Sequence, residues 1–110
     1  MKQGEIWSVD LNPGIGQKQK GKRPVVIISG NLLNDNFSVI IACPLTTKLK
    51  YMRGNEIIES SKENGLKKTS EVLTFHVRSI SKSRFKKRIG TINKEQLNSI
   101  VKNLNKLLEY

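Results

Sequence analysis

One cysteine, Cys43, and one histidine, His76, are all that 110 residues hold of the two side chains that most often build metal and covalent chemistry. A lone cysteine excludes an internal disulfide framework and a cysteine-based zinc site. The single histidine excludes a two-histidine acid–base pair within one protomer. The nine Asp and Glu are scattered, with no D-x-D or H-x-x-x-H spacing, so the sequence supplies no evident ligand set and predicts neither metal nor cofactor. Aromatics make up 5%, too few for a broad base-stacking platform. No apolar run approaches the roughly 20 residues of a membrane helix. The opening MKQGEIWSVD lacks the apolar region of a secretory signal. The compartment these absences predict is the cytoplasm, with no membrane partner. The glycine-rich stretch 14–21 (GIGQKQKG) lacks the Lys-Ser/Thr ending of a P-loop and does not match a dinucleotide fingerprint.

What the chain has is positive charge. Lys and Arg number 20 against nine acids, a formal +11 with a pI of about 10.1. Such a balance on a single small domain (residues 1–110) points to a polyanionic partner, nucleic acid first. The excess is spread over the folded body. Residues 1–55 hold 8 basic and 3 acidic side chains, and residues 56–110 hold 12 and 6. Two windows contain no acid. Residues 11–34 carry Lys18, Lys20, Lys22 and Arg23; residues 72–94 carry Arg78, Lys82, Arg84, Lys86, Lys87, Arg88 and Lys94. A surface built only for solubility would intersperse acids, so the windows are read as two parts of one binding surface.

The hydrophobic pattern predicts short strands and a terminal helix. Residues 5–11 alternate, with Trp7, Val9 and Leu11 on one face. Residues 25–29 and 38–43 are β-branched apolar runs, read as buried strands, the second stopped by Pro44. Residues 30–36 read as a turn and 45–55 as a loop. Residues 55–59 and 71–80 are strand-like. The alternation of 71–80 places Val72, Thr74, His76 and Arg78 on one face. Residues 81–85 read as a helical turn and 88–92 as a short strand. Asn93 with Gln96 three residues on has capping-box spacing. Leu97, Ile100, Val101, Leu104, Leu107 and Leu108 follow on one helical face over 93–108, packing on the domain's own sheet. The predicted class is mainly β with a C-terminal helix, as a small twisted sheet or barrel.

Two junctions suit phosphate chemistry. Pro24 restricts Arg23 to extended geometry at the junction of a basic polar loop and a strand. There the scaffold positions a planar fork of donors that stays charged at any relevant pH. Pro44-Leu45-Thr46-Thr47 places two hydroxyls after another strand. They are turn formers by default, and beside an arginine from a neighbouring strand they bind a phosphate oxygen. Cys43 reads as a buried small hydrophobe.

The landmarks occur in the order found in the MazF/PemK toxin endoribonucleases of type II toxin–antitoxin pairs. The matching stretches are residues 4–13 (GEIWSVDLNP), 19–26 (QKGKRPVV), 43–47 (CPLTT), Gly65-Leu66, Ser70, 77–80 (VRSI) and 87–90 (KRIG). The chain resembles this family over nearly its whole length. The resemblance implies an SH3-like β-barrel of CcdB/PemK type that forms a homodimer. It implies sequence-specific, metal-independent cleavage of single-stranded RNA, usually mRNA, through attack by the ribose 2′-OH. It also implies an acidic antitoxin as partner, through whose complex DNA can be bound. Arg23 and Thr46 fall on the family's catalytic positions. Arg23 is a poor base, so it is assigned to stabilising the phosphorane, and Thr46 to bonding a non-bridging oxygen. The general base is left open. RNA contacts are expected from Gln17, Lys18, Gln19, Lys20, Lys22, Thr47, Lys48, Lys50, Tyr51, His76 and Arg78. Two positions depart from the family pattern. Lys18 stands where a Glu is common. Phe75-His76 stands where an acidic-Gln pair is common, leaving His76 to bond a base edge, stack on one or act as acid or base. Same-fold gyrase poisons lack the Arg-Pro and Pro-x-Thr pair, which favours the nuclease branch over them and over a passive nucleic-acid-binding module.

Overall fold

The computed structural model describes residues 1–11 and 21–109. Its frame is an antiparallel sheet of seven strands: β1 (Glu5–Asp10), β2 (Lys22–Ile27), β3 (Val39–Thr46), β4 (Ile57–Ile58), β5 (Ser70–Val72), β6 (Arg78–Ser81) and β7 (Phe85–Thr91). A short helix α1 (Asn31–Asn36) joins β2 to β3, and the terminal helix α2 spans Lys94–Leu107. The order across the sheet is β4-β5-β3-β2-β1-β7, with β6 also paired to β3. The sheet curls into a half-barrel, so the mainly β, SH3-like reading with a C-terminal helix holds.

The apolar runs explain why the sheet curls around two packed faces. Alternate side chains of β2 leave on opposite sides. Val26 and Ile28 join Ile6, Cys43, Leu45, Ile58, Val72 and Ile100 on one side. Val25 and Ile27 join Val9, Ile40, Ala42, Ile80 and Phe85 on the other. Helix α2 covers the first face with Leu97, Ile100 and Leu104. Its start has the capping box the sequence predicts: the Gln96 N–H donates to Asn93 Oδ1 at 2.7 Å, and the Asn93 N–H donates to Gln96 Oε1 at 3.0 Å. The last turn does not follow the expectation of packing on the sheet, since Leu107 and Leu108 are exposed.

Three other expectations are corrected, while the face expected of β1 holds. In β1 the register shifts between Ile6 and Trp7 and again between Ser8 and Val9. The extra residues lie on β7, and β1 keeps its alternation against β2. Trp7, Val9 and Leu11 therefore pack on one face as expected, with Val9 fully buried and Trp7 half-buried, while Ile6 is buried on the other. Trp7 lies edge-on to Phe85 with ring centroids 6.0 Å apart. Residues 31–36 form α1 rather than a turn, seated by Asn34, which is buried and donates to the Ser29 carbonyl at 2.8 Å.

Pro44 does not stop its strand, and residues 71–80 are not one strand. β3 continues to Thr46 and pairs with β6 over residues 39–42 and with β5 over 45–46. Between those ladders the register steps by three residues. The three-residue 3₁₀ turn Thr74–His76 absorbs that step. Pro44 sits at the step, where a strand tolerates a missing N–H, and its carbonyl accepts from the Leu73 N–H at 2.9 Å. The expected shared face of Val72, Thr74, His76 and Arg78 therefore does not exist. Val72 and Thr74 are buried, while His76 and Arg78 are exposed.

Candidate active site

Strands β2 and β3 run side by side with Val25 opposite Pro44. This pairing brings the two junctions singled out in the sequence to the same end of the sheet. Arg23 and Thr46 line one cavity of about 380 Å³, together with Lys22, Thr47, Lys48 and Ser70. A larger cavity of about 620 Å³ adjoins it and shares Lys22, Arg23, Thr47 and Ser70. Its remaining wall comes from Ser8 of β1, from residues 65–68 and from residues 87–89 of β7.

The two acid-free windows meet here. Lys22 and Arg23 come from one, Lys87 and Arg88 from the other, and Lys67 and Lys68 add to them. No carboxylate or imidazole is among the described residues lining either cavity. Of these six cations, Arg88 is the one that meets a carboxylate among the described residues: its Nε donates to Glu5 Oε2 at 3.0 Å. Burial pushes the Glu5 carboxyl up, but donors outweigh it and hold the group below its ordinary value. Those donors are Trp7 Nε1 at 2.8 Å, the Lys2 N–H at 3.0 Å and Arg88. Glu5 thereby fixes one guanidinium at the rim and leaves the other cations to the cleft.

The wall of residues 65–68 lies close on β7 because two glycines meet there. A Cβ on Gly65 would overlap the Ile89 carbonyl oxygen, and one on Gly90 would overlap the Asn64 carbonyl. Gly65 also has φ of 67°, in the left-handed region that glycine takes without strain.

The Thr46 hydroxyl is oriented. Its oxygen accepts the Lys48 N–H at 3.1 Å, so its own proton is free to point into the cavity as a donor. Behind it stands a residue that sequence reasoning missed. Glu71 is opposite Thr46 in the β3–β5 ladder and fully buried. Its carboxylate accepts from the N–H groups of Lys50, Tyr51 and Met52 at 2.7, 2.9 and 2.9 Å, and from Asn55 Nδ2 at 2.9 Å. Burial raises its pKa, but the bonds from Asn55, Lys50, Met52 and Tyr51 outweigh burial and bring it down to about 2. The only sequence signal was a lone acid amid apolar strand residues, which reads equally well as a solvated position.

The other expected residues fall in four groups. Lys22, Thr47 and Lys48 line the cleft with Arg23 and Thr46. Lys50 and Tyr51 are exposed on the loop that leaves it. His76 and Arg78 line neither cavity; His76 is exposed on the 3₁₀ turn, its ring 4.2 Å from that of Phe75. Gln17, Lys18, Gln19 and Lys20 lie outside the described residues. Lys67, Lys68, Lys87 and Arg88 were not expected in the site. Lys87 and Arg88 were visible as part of an acid-free window, whereas Glu63 and Glu71 flank Lys67 and Lys68 and hid them.

Residues 2–108 match the profile of one family, described as PemK-like, MazF-like toxin of type II toxin–antitoxin system. Endoribonuclease MazF9 of Mycobacterium tuberculosis is 28% identical over 102 residues, 88% of this chain and 86% of its own. Endoribonuclease PemK of Escherichia coli is 29% identical over 109 residues, covering 98% of this chain and 82% of its own. Among solved structures, MazF of Deinococcus radiodurans superposes with a TM-score of 0.80 at 24% identity, covering 98% and 96% of the two chains. A mycobacterial endoribonuclease in complex with its cognate antitoxin superposes equally well, 0.80 at 20% identity, covering 100% and 98%.

Proposed function

The chain belongs to the PemK-like, MazF-like toxins of type II toxin–antitoxin systems, and from that premise we propose that it is an endoribonuclease. Its substrate is single-stranded RNA, cut without a metal ion, and the scissile phosphate sits between Arg23 and Thr46. The observation that carries this reading is the shared cavity of those two side chains, ringed by cations.

The ribose 2′-OH attacks the adjacent phosphorus. The 2′-oxygen loses its proton as the new P–O bond forms. The bond to the 5′-oxygen breaks and that oxygen takes up a proton, leaving a 2′,3′-cyclic phosphate on one fragment and a 5′-hydroxyl on the other. Negative charge builds on the non-bridging oxygens in the phosphorane. Arg23 offers two parallel N–H donors and a permanent charge to those oxygens. Thr46 adds its hydroxyl proton, held in place because Lys48 already occupies its acceptor side. Donors fixed before the reaction supply electrostatic stabilisation without reorganisation. The described site thus contributes charge stabilisation to the phosphorane.

Lys22, Thr47 and Lys48 hold the flanking phosphates. Lys50, Tyr51, His76, Arg78 and residues 17–20 extend the RNA contacts beyond the scissile step. The partner that silences the toxin is an acidic antitoxin, complementary to a chain of +11. The working unit is a homodimer in the cytoplasm; the exposed Leu107 and Leu108 fit a chain that leaves apolar surface for a second copy.

The test is direct. Purified protein is incubated with single-stranded RNA in EDTA beside the Arg23→Ala variant. Cleavage by the wild type alone, with cyclic-phosphate ends, is the expected result. Uncut RNA, or equal cleavage by the variant, would sink the reading.

A further inference from the structure

The loop over residues 47–55 leaves β3 directly after Thr46, and the bonds that fix its middle end on one side chain. Three successive N–H groups, from Lys50, Tyr51 and Met52, converge on the Glu71 carboxylate. Successive backbone donors arranged this way form a concave nest of the kind that binds phosphate elsewhere. Here the nest is filled from within the chain. Asn55 closes it from the far end, and Asn55 Oδ1 accepts in turn from Asn103 Nδ2 of α2 at 3.3 Å. The loop is therefore clamped to the sheet and tied to the helix.

The clamp has a conformational cost and a visible product. Tyr51 takes a φ of 52° and is the one non-glycine residue with positive φ among the described residues. A bulky side chain rarely adopts that region, and such strain persists where surrounding bonds over-determine it. The product is a ring that the fold does not use: Tyr51 is 70% exposed, although the backbone beneath it is held by a buried carboxylate. The loop that carries it begins with Thr47 and Lys48, which line the cleft.

We propose that Glu71 is a positioning residue for RNA recognition: it holds the 50–52 turn in the shape that presents Tyr51 beside the cleft, where the ring stacks on an unpaired base. This inference rests on the RNA reading above and adds a contact to the same site. Stacking on one aromatic ring is worth roughly ten- to a hundredfold in affinity. A ring held in advance keeps more of that gain than one ordered on binding.

The test uses wild type, Tyr51→Ala, Glu71→Gln and the double variant. Binding of a 2′-O-methyl RNA oligonucleotide, which lacks the attacking hydroxyl, is followed by fluorescence anisotropy. Steady-state cleavage of the matching RNA in EDTA gives kcat and KM. Each single variant is expected to weaken binding about tenfold, with the loss in KM and not in kcat. The double variant is expected within about threefold of either single one, because Glu71 acts through Tyr51. Tyr51→Phe keeps the ring and is expected to keep the affinity. Multiplicative losses in the double variant overturn the proposal. So does unchanged binding by Tyr51→Ala, whose exposed side chain can be removed without risk to the fold even if Glu71→Gln fails to fold. If the wild type binds with this coupling but does not cut, the nuclease reading falls and the Glu71–Tyr51 contact stands. If it cuts but the coupling is absent, the contact falls alone. If it does not bind, both fall.

Discussion

Thr46 and Glu71 face each other across the β3–β5 ladder and between them fix the loop that follows. The Thr46 hydroxyl takes the N–H two residues on, and Glu71 takes the three N–H groups beyond it. The pair makes stability depend on acid in a predictable way. The folded pKa of Glu71, about 2, lies below the ordinary 4.5. Its contribution is therefore complete above about pH 4.5 and is lost as pH falls toward 2. Replacing it by Gln leaves buried donors poorly matched, at a cost of about 1–3 kcal/mol at pH 7. Urea unfolding of wild type and Glu71→Gln between pH 7 and pH 2.5 should show that gap narrowing below pH 4.5. A gap constant across the range would contradict the ionised, hydrogen-bonded carboxylate.

Arg23 and Thr46 divide a single task, so their loss should be graded. Arg23→Ala removes both a charge and a fork of donors, and single-turnover cleavage should fall by about a hundred- to a thousandfold. Thr46→Val keeps the β-branched shape that the strand favours and removes only the hydroxyl. A smaller loss, about ten- to a hundredfold, is expected, at the weak end for one donor. Arg23 is exposed, so urea midpoints of Arg23→Ala should stay close to wild type. A destabilised Arg23→Ala would mean that the residue serves the fold.

The elements that carried their own signals were legible in the sequence. The capping box of Asn93 and Gln96 and the apolar face of Leu97 and Ile100 located α2. The β-branched runs located β2 and most of β3. What misled the reading was non-local. Nothing near Pro44 reveals that β3 changes partners there, and nothing in residues 71–80 reveals the register step that breaks them at Thr74–His76. Arg23 and Thr46 could be nominated because a proline fixes the chain near each of them. Glu71 could not, because its partners Lys50, Tyr51, Met52 and Asn55 are contributed by a loop at least 16 residues away. Lys67 and Lys68 joined the cleft only through the close approach that Gly65 and Gly90 permit.

Cys43 should be chemically silent. Its thiol lies fully buried in β3, and burial pushes its pKa up to about 12. The nucleophile is the thiolate, so at pH 8 the native protein offers neither access nor charge. Ellman's reagent should leave native Cys43 unmodified over an hour and titrate one thiol per chain in guanidinium chloride. Rapid reaction of the native protein would place Cys43 on an opening segment rather than in the core.

Binding should be steeply dependent on salt, and the slope should report which lysines hold phosphate. Each phosphate neutralised on a single strand releases counterions and adds about −0.7 to the slope of log K against log salt. With Lys22, Arg23, Lys48, Lys67, Lys68 and Lys87 all engaged around the cleft, the slope should approach about −4. That corresponds to roughly a three-hundredfold loss of affinity between 50 and 200 mM salt. Lys67→Ala and Lys68→Ala should each flatten the slope by about 0.7 and weaken binding alike for RNAs of different sequence, since phosphate contacts carry no base information. Lys94 starts α2 and lines neither cavity, so Lys94→Ala should leave the slope where it was. Anisotropy titrations of one oligonucleotide at four salt concentrations decide the matter. Equal flattening by all three variants would mean that the whole basic surface attracts RNA without a defined cleft. Flattening confined to Lys67 and Lys68 assigns the phosphate track to the wall that those two glycines bring onto β7.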